Sequence, residues 1–132
     1  MLKKIYNKVT HEWDTSVEEA LKSFIRLPAL SPDFDKKWEE NGVLLKALED
    51  AQAWAEKQGI KGLRCEIIKD DGFTPCLFVE VDATSDKKFE RSVFFYGHLD
   101  KQPPNEGWDP DKSAWEPVIQ KRAAAGQAPP NV

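Results

Sequence analysis

Histidine and cysteine are scarce in this 132-residue chain, at two of each, and long apolar runs are missing. No stretch approaches the roughly 20 apolar residues that a membrane span needs, so no membrane protein is expected. Lysines open the chain at Lys3 and Lys4 but no apolar signal core follows, so no secretory leader is expected and the cytoplasm is the expected compartment. Cys65 and Cys76 do not form the Cys-x-x-Cys pattern of redox or zinc sites. Both fall in stretches that read as strands, where a cysteine serves as a small hydrophobe. A disulfide between neighbouring strands stays open, although nothing else points to an oxidising compartment. Basic residues number 19 against 23 acidic, for a formal charge of −4. With no basic block and no aromatic-basic interleaving, that balance excludes a general nucleic-acid binder. The chain has no Gly-x-Ser-x-Gly elbow, phosphate-binding glycine loop or dinucleotide fingerprint, so serine-nucleophile and nucleotide chemistry find no support.

What remains is a one-domain length with 40% hydrophobic and 32% charged residues, an ordinary globular composition. Ile5, Val9 and Trp13 recur at steps of four and predict a short N-terminal helix. Thr15 or Ser16 offers an N-cap to the next helix, with Glu18 or Glu19 as capping-box partner. Val17, Leu21, Phe24 and Ile25 form the apolar stripe of that helix, which ends at Pro28; a loop follows to Asp35. A longer helix is predicted from about Asp35 to Gln58, with Leu44, Leu48, Ala51 and Ala55 on one face and Trp38, Leu45 and Trp54 flanking it. Gly59 is placed to end it in the left-handed conformation. Three strands are then expected: Leu63 to Ile68, Cys76 to Val81, and Ser92 to Tyr96. Lys69-Asp70-Asp71-Gly72 supplies the turn that makes the first two antiparallel neighbours. Ala83 to Glu90 is a polar connection to the third.

The most informative run is Ser92-Val93-Phe94-Phe95-Tyr96-Gly97-His98-Leu99-Asp100-Lys101-Gln102-Pro103-Pro104. An apolar stretch delivers His98 and Asp100 to the end of a strand, where open α/β proteins place their ligands. An imidazole can donate its lone pair to a metal while a nearby carboxylate holds its orientation.

Gly97, His98, Asp100 and Pro103 match the pattern Gly-His-x-Asp-x-x-Pro, and this run resembles the first signature of the M20 family of zinc-dependent metallopeptidases. The variant Gly97-His98-Leu99-Asp100-Lys101-Gln102-Pro103 looks most like the dipeptidase side of that family. Phe24-Ile25-Arg26-Leu27-Pro28, Ser31-Pro32-Asp33-Phe34-Asp35, Gly107-Trp108 and Trp115-Glu116-Pro117-Val118-Ile119 are family-like as well, so the resemblance covers about residues 10 to 120. It implies a hydrolase of dipeptides or short N-acyl amino acids and an α/β fold, an incomplete three-layer α/β/α sandwich with a mixed sheet. By this resemblance residues 1–119 form the N-terminal part of the catalytic domain, His98 is a zinc ligand, and Asp100 keeps ligand and base in register. In intact relatives two zinc ions activate a bridging water and a glutamate takes its proton.

The later acidic ligands, the general-base glutamate and the family's dimerisation domain have no counterpart here. Residues 120–132, rich in Ala, Pro and Gly, read as a disordered tail; a shifted reading frame near Lys121 would account for the break. Zinc wants about four ligands, about three of them from protein in catalytic sites. The chain alone is therefore expected to bind zinc weakly and to be inactive. The rival expectations are a non-catalytic module that pairs its sheet edge with a separate C-terminal half, and a degenerate product without function.

Other residues carry plainer readings. The alternative for Asp100 is to cap a turn before Pro103, and Gly97 either admits a close backbone approach or breaks the strand. Lys101 and Gln102 are expected to face solvent. His11 has no ligand-spaced partner and reads as a surface histidine. The pairs Asp33 and Asp35, Glu39 and Glu40, and Asp70 and Asp71 read as capping or solvated carboxylates. Trp108 and Trp115 read as packing residues, with a substrate contact as the alternative.

Overall fold

Helical backbone runs without a break from Leu2 to Arg26 in the structure, a computed structural model that describes residues 2–84 and 91–120. It comprises α1 (Leu2–Glu12), a π-turn (Trp13–Val17) and α2 (Glu18–Arg26). The expected N-cap at Thr15 or Ser16 does not form. Thr15 instead turns its hydroxyl back and donates to the His11 carbonyl at 2.7 Å, a bond that Ser and Thr make inside helices. Glu18 and Glu19 both pair with Lys22, at 2.6 and 2.8 Å, rather than closing a capping box. Leu27 leaves the helix with φ −80° and ψ 113°. Pro28 forces that exit, because the residue before a proline is crowded out of helical geometry.

The single helix expected from Asp35 to Gln58 is two, α3 (Trp38–Asn41) and α4 (Val43–Lys57). Gly42 separates them at φ 66°, a left-handed angle that costs glycine little. Asn41 Oδ1 accepts the Val43 N–H at 2.9 Å across the break. Gly59, at φ 62°, follows α4 as expected.

The core is small. Ala29, Leu44 and Ala47 are buried together, with Phe24, Leu27, Trp38 and Val43 packed against them. Leu48 is also buried, while Ala51 and Ala55 are half-buried, so the predicted face of α4 is the inward one. Trp54 Nε1 donates to Ser16 Oγ at 3.2 Å and ties α4 to the π-turn.

Strands β1 (Leu63–Ile68) and β2 (Cys76–Val81) have the expected bounds and pair antiparallel, from Leu63 opposite Val81 to Ile68 opposite Cys76. The hairpin turn places Gly72 at φ 79°. Leu63, Cys65 and Ile67 are half-buried and alternate with exposed Arg64, Glu66 and Ile68, as the period of two requires. Helix α4 packs against both strands.

The architecture is thus mixed, with helices and a two-stranded antiparallel sheet. Ser92 to Tyr96, expected as a third strand, pairs with no described strand. Val93, Phe94, Phe95 and Tyr96 are 80% to 87% exposed. A strand apolar on both faces needs neighbours at its edges and layers above and below, and the described elements supply neither. Residues 85–90 of the polar connection, and the tail from Lys121 on, lie outside the described residues. No described helix is long and apolar enough to cross a membrane.

Candidate functional site

The segment carrying His98 and Asp100 is anchored at its C-terminal side. Ala29, fully buried, accepts the Lys101 N–H at 2.8 Å, and the Lys101 carbonyl accepts the Ser31 N–H at 2.9 Å. These two bonds form a parallel bridge that lays Lys101 beside Leu30. The loop after Pro28 was legible in the sequence; its use as a platform for the signature was not.

Lys101 does not face solvent. Its ammonium donates to the carbonyls of Phe24, of Leu27 at 2.5 Å and of Ile25 at 3.1 Å. These carbonyls lie at the end of α2, where a helix leaves acceptors unpaired and a cation is favoured. The ammonium also sits 4.2 Å from the centre of the Phe24 ring and 5.3 Å from that of Trp115, within cation–π range. Burial pushes it below the ordinary lysine range, while the three carbonyls favour its charged form. No local pattern marks this role, because its partners lie more than seventy residues upstream.

His98 Nδ1 lies 3.1 Å from Asp100 Oδ1 and 3.1 Å from the Asp100 carbonyl. An ionised carboxylate and a carbonyl are acceptors only, so the contact assigns the Nδ1 proton to His98. The Nε2 lone pair is then the one free to meet a metal. The His98 side chain is 72% exposed and that of Asp100 40%, so solvent screens their attraction.

The described residues fit one ligand of a zinc site, not a whole site. Among them, no group of three or more His, Cys, Asp and Glu side chains is placed to hold a metal ion. Gly97 is not at a left-handed angle, and a Cβ there would meet nothing within 4 Å. Close backbone approach therefore does not explain this glycine among the described residues.

The remaining candidates do local work. Asp35 Oδ1 accepts the Lys37 N–H at 2.9 Å, and its Oδ2 takes the Asn41 amide at 2.5 Å. Asp70 Oδ1 accepts the Asp71 N–H at 3.0 Å in the hairpin turn. Glu39 and Glu40 lie exposed in the first turn of α3, and His11 is exposed near the end of α1. Trp108 is half-exposed, whereas Trp115 is half-buried beside Lys101.

Comparison of the chain with protein-family models and with curated proteins returned no match, so its functional reading rests on the residues themselves.

Proposed function

We propose that this chain is the N-terminal part of an M20-like zinc metallopeptidase domain of three-layer α/β/α architecture. Its substrates would be dipeptides or short N-acyl amino acids. His98 supplies one zinc ligand through Nε2 and Asp100 orients it from Nδ1. The observation that carries this reading is the 3.1 Å approach of His98 Nδ1 to the Asp100 carboxylate. Carboxylate, imidazole and metal in that order is how zinc-bound histidines are commonly held. With one ligand and its orienting carboxylate among the described residues, the chain by itself binds zinc weakly and does not hydrolyse peptides.

Calorimetric titration with zinc, on the wild-type chain and on His98→Ala, tests the proposal. Weak binding that disappears in the variant is the expected result. Binding of equal strength in the two proteins would remove His98 from the site. Hydrolysis of a dipeptide panel by the isolated chain, abolished by His98→Ala, would refute its inactivity.

A second reading is favoured by the exposed, unpaired stretch Val93 to Tyr96. It makes the chain a non-catalytic module that adds this segment to the sheet of a separate polypeptide. Tandem purification separates the two readings. A stoichiometric partner bearing the missing acidic ligands unites them, whereas one without such ligands supports the module alone.

A further inference from the structure

We infer that Lys101 is the positioning residue of this site, fixing the His98–Asp100 segment to the end of α2 and the Ala29–Ser31 loop. The inference rests on the zinc-ligand reading of His98 and goes beyond it by naming what holds the ligand in place. Both close contacts of the imidazole Nδ1 go to Asp100, one to its carboxylate and one to its carbonyl. The orientation of the ring therefore follows the placement of Asp100, whose side chain and backbone both meet it. Upstream, the backbone has little support: Val93 to Tyr96 pair with no described strand and are exposed, and a Cβ at Gly97 would meet nothing within 4 Å.

Downstream, Lys101 is tied in three ways. Its N–H and carbonyl bridge to Ala29 and Ser31. Its ammonium takes the carbonyls of Phe24, Ile25 and Leu27. The same ammonium lies within cation–π range of the rings of Phe24 and Trp115. The chain of restraint runs from the end of α2 through Lys101 to Asp100 and then to His98. A methionine at 101 keeps the unbranched apolar stem and loses the three donors, whereas arginine keeps a cation at the helix end.

The test compares the wild-type chain with Lys101→Met and Lys101→Arg by amide hydrogen exchange and zinc calorimetry. In Lys101→Met, exchange at the Lys101 and Ser31 amides should accelerate at least tenfold while the β1 amides are unchanged. Zinc affinity should fall about tenfold, the usual scale for losing support behind a ligand, and Lys101→Arg should recover part of it. Unchanged exchange, or faster exchange with unchanged zinc affinity, overturns the inference. If the wild-type chain binds no zinc, the metal reading falls by itself and the His98 ring ¹⁵N resonances decide instead. Their displacement in Lys101→Met supports positioning, and their constancy overturns it. Should Lys101→Met fail to fold, the wild-type ammonium decides. Proton exchange slower than at the exposed lysines supports the clamp, and equally fast exchange overturns it.

Discussion

Cys65 and Cys76 point to opposite faces of the β1–β2 ribbon, Cys65 paired with Val79 and Cys76 with Ile68. Three rungs of ladder, about 10 Å of strand, separate them. A disulfide needs Cα atoms within about 7 Å and Cβ atoms aimed at each other, and this register provides neither. Under mild oxidation of the folded chain, no intramolecular bridge should form, and a thiol reagent should titrate both cysteines. Exposed Cys76 should react before half-buried Cys65. A native-state mass lower by two hydrogens per chain would disprove the register.

Gly42 and Gly97 give opposite expectations for the same substitution. Gly42 has φ 66°, and an added Cβ meets nothing within 4 Å. Gly42→Ala therefore carries only the backbone penalty of the left-handed region, about 1 kcal/mol. Gly97 is free of that angle, and its surroundings are equally open. Gly97→Ala should leave the urea midpoint unchanged or slightly raised, while Gly42→Ala lowers it. Equal destabilisation by both would mean that Gly97 is held in a conformation only glycine adopts.

Much of the fold was legible because it is written locally. The Leu44–Leu48 stripe, the Asp70–Gly72 turn and the bounds of β1 and β2 follow from residue spacing and turn chemistry that need no distant partner. Misreadings arose where two local signals compete. Thr15 is a good cap, yet its hydroxyl also bonds the preceding turn, and the helix continues through it. Gly42 sits within an apolar period that spans it, and its left-handed angle divides the helix. Ser92 to Tyr96 has strand composition, but pairing depends on neighbours that composition does not reveal. At the site, His98 and Asp100 stood out as a pair, whereas Lys101 acquires its role only through the distant Phe24, Ile25 and Leu27 carbonyls.

Acid and base should each weaken α2 through one cluster. The Lys22 ammonium holds the Glu19 carboxyl below the usual carboxylate range, first by hydrogen bonding and then by charge. In turn Glu18 and Glu19 raise Lys22 above its ordinary value. For Glu19, lowered in the folded state, the contribution is present above the unfolded value of about 4.3 and is lost as pH falls through the folded one. For Lys22, raised in the folded state, it is present below about 10.4 and is lost as pH rises past that. Lys22→Met should thus lower the thermal midpoint slightly near neutrality and converge with wild type at the acid extreme. A difference that persists undiminished at about pH 2 would mean that lost packing of the lysine stem, rather than charge, is responsible.

Asp100 is the more discriminating residue for the metal reading, because replacing His98 removes the ligand itself. In Asp100→Asn the side-chain oxygen still accepts from His98 Nδ1, so the ring keeps its tautomer, but the negative charge behind the ligand is gone. Zinc affinity should fall about tenfold with no loss of thermal stability, since the pair is exposed and contributes little to folding. Asp100→Ala removes the side-chain acceptor as well, leaving Nδ1 only the carbonyl of residue 100, and should fall further. That graded order, wild type above Asn above Ala, is what an orienting carboxylate produces. A turn-capping aspartate predicts the reverse emphasis, with the thermal midpoint lowered in Asp100→Ala and zinc affinity equal across all three proteins. Calorimetry and thermal melts on the same three samples decide between them.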